Sequence, residues 1–247
     1  MFSIFKKRQP VGPVDFSGLK TDMHSHLLPG IDDGSPNPAT SIELIKGLQD
    51  LGYQKFITTP HVLLGMYEND AQSIGEAYKR LQEEIHEQKI KVDISPAAEY
   101  FLDDHFENLL NSNTPFLSFK DNLVLVEFSF MAISANYKKL LFNLQIKGYR
   151  PILAHPERYV YLTRNMDIFD ELKSAGCLFQ VNLLSLAGAY GKPTLELAHT
   201  LIKKDYVDLL GTDLHHSRHL DALRHSSQIM PVVNKLLDAG RLLNSSL

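Results

Sequence analysis

Apolar residues follow two alternating rhythms along the chain. Short β-branched or apolar runs at 20–23, 55–60, 92–98, 123–126, 151–154, 177–181 and 207–212 predict seven strands. Between them the apolar spacing becomes helical. It shows at Ile42, Ile45, Leu48 and Leu51 before Gly52, at Ile74, Tyr78, Leu81 and Ile85, and at Tyr137, Leu140, Leu141 and Leu144 before Gly148. Phe169, Leu172 and Ala175 before Gly176, then Leu195, Ala198, Leu201 and Ile202 after Pro193, and finally 229–237 continue the series. Strands that alternate with helices in this way predict repeated βα units and a mostly parallel sheet.

The strands are most informative where they stop. In order, the residues that follow them are His24, His61, Glu99, Glu127, His155, Asn182 and Asp213, spaced 27 to 38 residues apart. That interval is close to one βα unit of about 30 residues. A parallel barrel gathers its C-terminal strand ends on one face, so seven such residues would surround one pocket. A single His or Glu after a strand reads as a solvated loop residue. Six of seven positions carrying His, Glu or Asp point instead to a polynuclear metal site. In His24-Ser25-His26, positions i and i+2 share a face, so both imidazoles can reach one ion. His86, His105, His199 and His225 fall in helical stretches and read as surface or packing residues.

Composition narrows the class. With 247 residues, 44% of them hydrophobic, the chain can bury a sizeable core, and we expect one domain over 19–247 behind a flexible leader at 1–18. The leader carries Phe2, Ile4, Phe5 and Lys6-Lys7-Arg8, too short an apolar stretch for a signal peptide or a membrane span. A net charge of −4 without a long Lys/Arg run argues against a nucleic-acid partner. Cys177 is the sole cysteine, which rules out an intrachain disulfide and fits a reducing, cytoplasmic setting. A cysteine phosphatase needs an arginine six positions after its thiolate. Here that position is Leu183, and Cys177 reads as an inert core thiol.

His24-Ser25-His26, Asp32-Asp33-Gly34, Thr59-Pro60-His61, Ala98-Glu99-Tyr100, Glu127-Phe128, Ala154-His155-Pro156-Glu157-Arg158-Tyr159 and Thr212-Asp213-Leu214-His215 together resemble the polymerase-and-histidinol-phosphatase (PHP) superfamily. Among its members the motifs are most similar to the bacterial metal-dependent protein tyrosine phosphatases of capsule and exopolysaccharide systems, over roughly residues 20 to 240. The resemblance implies a distorted, TIM-like (β/α)7 barrel with three divalent ions at the C-terminal strand ends, manganese by expectation and iron or zinc as alternatives. Carried over by motif, His24, His26, Glu99 and Asp213 hold one ion, Glu99, Glu127 and His155 a second, and Asp33, His61 and His215 the third. Asp32 is the alternative to Asp33.

Three divalent ions against four carboxylates and one bridging hydroxide leave about one net positive charge, which suits a phosphate dianion. The resemblance implies attack by a hydroxide drawn from metal-bound water, with Glu127, His155 and Arg158 in the catalytic set. Arg158 would orient the phosphate through its planar fork, and Arg218 is the nearest candidate for a second phosphate-binding arginine. His216 or His219 could protonate the leaving phenolate. The expected activity is hydrolysis of protein phosphotyrosine, with a bacterial tyrosine kinase as partner. A small-metabolite phosphatase, such as one for histidinol phosphate, is the alternative within the fold, and a non-catalytic metal-binding regulatory protein the alternative outside it. Relatives that form rings use a Glu-x-x-Arg-Arg helix. Glu43-Leu44-Ile45-Lys46-Gly47 departs from that pattern, so no ring is carried over.

Overall fold

Every pairing between named strands is parallel, and prolines decide where strands break. In the computed structural model, which describes residues 12–120 and 122–247, nine strands form two sheets. One has the order β1 (Thr21–Asp22), β2 (Lys55–Thr58), β4 (Asp93–Pro96). The other runs β3 (His61–Val62), β5 (Glu99–Phe101), β6 (Leu123–Glu127), β7 (Arg150–Ala154), β8 (Leu178–Asn182), β9 (Leu209–Gly211). Thus two of the seven expected strands are each divided, at Pro60 and after Pro96, and their halves belong to different sheets. Proline has no N–H for the ladder, so pairing lapses there and the strand bends. Hydrogen bonds from Ala97 N to Thr58 O at 2.8 Å and from Glu99 N to Pro60 O at 3.0 Å span the bend. The expected single seven-stranded sheet is therefore observed as two parallel sheets joined by bent segments.

The two outer strands also meet beyond their ends. Asp213 N donates to His24 O at 2.8 Å and His26 N to Leu214 O at 2.9 Å. Buried Asp22 accepts from Thr212 N at 3.0 Å and from Thr212 Oγ1 at 2.7 Å.

The helices are α1 (Pro38–Asp50), α2 (Ala71–Glu87), α3 (Asp104–Asn111), α4 (Tyr137–Ile146), α5 (Asp167–Ser174), α6 (Leu183–Leu186), α7 (Lys192–Lys203), α8 (Ser217–Arg224) and α9 (Met230–Asp238). Six match the expected apolar spacing. The other three are short: α3 starts where Asp103 accepts the Phe106 N–H, α6 follows β8 directly, and α8 starts with His216 as its cap. Among the described residues no helix is long and apolar enough to cross a membrane.

Period-two alternation divides the apolar residues into two cores. Met23, Ile57, Ala97, Leu125, Ile152, Leu178 and Leu209 belong to a small cluster to which both sheets contribute, while Val124, Leu153, Phe179, Val181 and Leu210 join the larger cluster that takes in the helices. Of the expected leader, residues 1–11 lie outside the described residues. Phe16 and Leu19 are fully buried, and Phe16 N donates to Leu51 O at 2.7 Å.

Near the C-terminus Asn244, also fully buried, accepts from Leu210 N at 3.0 Å and donates to Leu210 O at 2.7 Å and Thr21 O at 3.1 Å. Replacing it leaves the Leu210 N–H and two buried carbonyls without their partner. Asn244→Ala is expected to cost about 2–3 kcal/mol of stability, read as a lower midpoint in urea unfolding; an unchanged midpoint would contradict this role.

Candidate active site

Eight of the nine expected ligands sit at or just beyond a strand end, and Asp33 lies in a loop. His24 and His26 follow β1, Asp33 lies in the loop before α1, His61 opens β3, and Glu99 opens β5. Glu127 ends β6, His155 follows β7, and Asp213 and His215 follow β9. All nine come together. They form four overlapping groups in which the ligand atoms lie within 4.8 Å of one another: His26, Asp33, His61 and His215; His24, His26 and Asp213; His24, Glu99 and His155; and His61, Glu99 and Glu127. Glu99 is shared more widely than the expected partition, since its Oε2 is 3.2 Å from both His24 Nε2 and His61 Nδ1 and its Oε1 is 3.0 Å from His155 Nε2.

The backbone is bent to bring these groups in. His155 has φ +34° and Asp213 φ +50°, both in the left-handed region that costs a non-glycine residue about 1–3 kcal/mol. After His155 the 3₁₀ turn Pro156–Arg158 folds the chain back, with Arg158 N donating to His155 O at 2.9 Å. Two glycines are required by close approach. A Cβ on Gly34 would lie 2.3 Å from His26 O, and one on Gly211 would lie 2.7 Å from Gln180 Nε2 and 2.9 Å from His24 Cβ.

An outer layer of hydrogen bonds fixes which nitrogen of each ring faces inward. Asp213 Oδ2 can only accept, so Asn182 Nδ2 donates to it at 2.7 Å. Asn182 Oδ1 then accepts from Gln180 Nε2 at 2.8 Å, which leaves Gln180 Oε1 to accept from His24 Nδ1 at 2.7 Å. Likewise His26 Nδ1 donates to Asp32 Oδ2 at 2.8 Å and His215 Nδ1 to Asp213 O at 2.9 Å. All three rings therefore turn Nε2 inward, the arrangement of metal-ligating histidines held by an outer acceptor. His24 Nε2 and His26 Nε2 face each other at 3.3 Å, each 3.4 Å from Asp213 Oδ1. Two neutral imidazoles cannot present lone pairs to each other at that distance unless a cation stands between them.

Protons supply that charge in the metal-free protein. Burial pushes His24 and His61 down, but Glu99, with Asp213 for one and Glu127 for the other, outweighs it and raises both to about 10. His215 rises to about 9, where Asp33 and Asp213 outweigh burial. The His215 hydrogen bond lowers Asp33 to about 2, and Glu99 is held well below the carboxylate range by His24 and His61 despite its burial. Glu127 is raised, by burial and then by Glu99. The fully buried His155 Nδ1 has no hydrogen-bond partner. This donor set of imidazoles and carboxylates fits divalent manganese, iron or zinc.

The geometry also separates the two adjacent acids. The Asp32 side chain, fully buried, pairs with His26 and accepts from Gly34 N at 2.9 Å, whereas the Asp33 side chain, 54% exposed, holds Oδ1 3.6 Å from His61 Nε2 and 3.5 Å from His215 Nε2. The ligand groups open into a cavity of about 240 Å³, whose lining includes Phe130, Arg158, Tyr190, His216 and His219. Arg158 Nη1 donates to Asp213 Oδ2 at 3.2 Å, while its guanidinium carbon lies 4.4 Å from the Phe130 ring centre and 4.5 Å from that of Tyr190.

Arg218 is not among the lining residues. It is exposed on the first turn of α8, where His216 N-caps the helix and His219, three residues on, turns to the cavity instead. His219 is pushed down to about 4 by burial, His216 and His215, so it is neutral at pH 7. Burial drives the Cys177 thiol up to about 12, as suits an inert core residue. Sequence reasoning missed the outer-layer role of Asp32 and Gln180 and the aromatic pair around Arg158. Gln180 did leave a signal, as a polar residue in an otherwise apolar strand.

A family model described as capsular polysaccharide synthesis, CpsB/CapC, matches residues 20–230. The chain is 31% identical over 195 residues to the tyrosine-protein phosphatase YwqE of Bacillus subtilis, spanning 78% of this chain and 76% of that protein. It superposes with a TM-score of 0.75 and 29% identity, over 84% of both chains, on a structure reported with YwqE from Bacillus subtilis and CpsB from Streptococcus pneumoniae as unique metal-dependent tyrosine phosphatases. A histidinol phosphate phosphatase of Lactococcus lactis, solved with zinc, L-histidinol and phosphate, shares the fold at a TM-score of 0.51 and 16% identity, over 85% of this chain and 92% of that one. With the family model spanning most of its length, the chain belongs to the CpsB/CapC family of capsular polysaccharide synthesis.

Proposed function

We propose that this protein is a metal-dependent phosphatase that hydrolyses phosphotyrosine in proteins, in the cytoplasm, with the tail of a bacterial tyrosine kinase as its substrate. The observation that carries the reading is the set of inward-facing Nε2 atoms and carboxylates around one cavity, with Arg158 at its wall. Likeness to relatives named tyrosine-protein phosphatases supports the substrate class. A (β/α)7 barrel is the simplest form of the fold. The bonds that join the segments after β1 and β9, and a small inner core drawn from both sheets, favour it.

Three divalent ions, manganese by preference, would be held by His24, His26, Glu99 and Asp213, by Glu99, Glu127 and His155, and by Asp33, His61 and His215. When bound, such ions lower the pKa of water toward neutrality and draw in a phosphate dianion. The chain's own residues do the rest. Asp32, Gln180 and the Asp213 carbonyl keep the His26, His24 and His215 rings oriented. Arg158 presents its donor edge to the cavity, suited to two phosphate oxygens, and would exchange its bond to Asp213 for them. A phenolate is a good enough leaving group to depart without a protonated histidine, which agrees with neutral His219.

His155→Ala and Glu127→Ala should each lower kcat/KM for a phosphotyrosine peptide by roughly 10²–10³-fold, with circular dichroism and melting temperature close to wild type. Full activity in either variant would sink the proposed site.

The raised histidines also set a pH dependence. In the metal-free protein, His24, His61 and His215 contribute stability that is complete below about 6.5 and lost as pH rises through about 9 to 10. The chelated protein should therefore unfold at a lower urea concentration at pH 10 than at pH 7, and the metal-loaded protein should lose less. A chelated protein at least as stable at pH 10 as at pH 7 would contradict this.

A further inference from the structure

Arg158 stands between two clefts. One is the cavity of the metal ligands. The other, of about 350 Å³, is lined by Phe130, Arg158, Val160, Tyr190, Pro193 and Thr194, and so shares Phe130, Arg158 and Tyr190 with the first. The guanidinium lies over both rings, and its Nη1 donates to Asp213 at the first cavity. To the three shared residues the second cleft adds Val160 and Pro193, both apolar, and the uncharged Thr194.

We propose that the second cleft seats the side chain flanking phosphotyrosine in the substrate and selects an uncharged, apolar one. The inference rests on the phosphotyrosine reading of the first cavity. A peptide whose phosphoryl group reaches Arg158 from the first cavity carries its neighbouring residue toward the second, which adjoins it across Phe130, Arg158 and Tyr190. Among the described residues Arg158 is the only charged one in the lining, and the phosphoryl group claims it. A flanking carboxylate would compete for that guanidinium, and a flanking ammonium would meet it as a like charge. Phe130 is 47% exposed, Val160 39%, and Met131, next to Phe130, 87%, a cluster of exposed large apolar side chains of the kind that marks an interaction site.

The walls are also held in place. Tyr161 Oη donates to Ser129 O at 2.9 Å, and Phe128 N donates to Tyr159 Oη at 3.0 Å, which ties the loop after β6 to the turn after β7. Pro193 lies in the first turn of α7, where its fixed φ stiffens the third wall.

Phosphotyrosine peptides that differ only in the flanking residue test this on the metal-loaded protein. Leucine flanks should give about tenfold higher kcat/KM than glycine flanks, and aspartate flanks should fall below glycine. Val160→Asp, at a partly exposed position, and Pro193→Asp, at an exposed helix start that accepts an acidic residue, should each reduce the leucine preference to within about twofold. Equal rates on leucine and glycine peptides in the wild type, or an undiminished leucine preference in both variants, would overturn the subsite. Failure of the wild type to hydrolyse any phosphotyrosine peptide or phenyl phosphate would overturn the phosphatase reading instead.

Discussion

Lone pairs and negative charges converge here more closely than a folded protein can tolerate without a cation. Two imidazole nitrogens face each other at 3.3 Å beside the Asp213 carboxylate, and Glu99 lies within 3.2 Å of three histidine rings. In low dielectric such a cluster must be neutralised. Protons do so in the metal-free state, which is why three histidines titrate near 9 to 10. Divalent ions would do so with more charge per site, taking up the nitrogen lone pairs that the protons hold, so binding them must release those protons.

Much of the surrounding structure serves to maintain that convergence. The relay from Asp213 through Asn182 and Gln180 to His24 fixes a tautomer across three strand ends, and the Asp32 contact does the same for His26. Strained backbone at His155 and Asp213, and glycine at 34 and 211, let the chain pass close enough for those bonds to form. The cost is carried by the parallel sheets and their two apolar cores. Along β6, β8 and β9, period two places Leu125 in step with Glu127, Leu178 with Gln180 and Asn182, and Leu209 with Gly211 and Asp213, so one face supplies first core and then site.

The ends of the strands were legible in the sequence because an apolar run followed by His, Glu or Asp repeats at near-constant spacing, and the six residues read that way meet in space with His26, Asp33 and His215, which the family motifs supplied. What happens at Pro60 and Pro96 was not. A proline announces a break, but which sheet the next residues join depends on long-range pairing. The four-residue α6 escaped because so short a run cannot establish a helical period, while α3 and α8, no shorter than the legible α5, begin at side-chain caps rather than at a marked apolar spacing. Asp32 and Asp33 are chemically identical in sequence and differ only in which one the turn buries. Arg218 was placed by its nearness to His215, yet helical geometry carries it outward and brings His219 in. Phe130 and Tyr190 come from distant segments, and their stacking on Arg158 has no local signature.

The central claim, that this cluster exists to hold several divalent cations, is tested most directly by counting them. Elemental analysis of the protein purified without chelator and loaded with manganese should find about three ions per chain, reduced in His24→Ala and restored to the wild type after chelation and reloading. A wild-type chain that retains no stoichiometric divalent metal after loading would contradict the account.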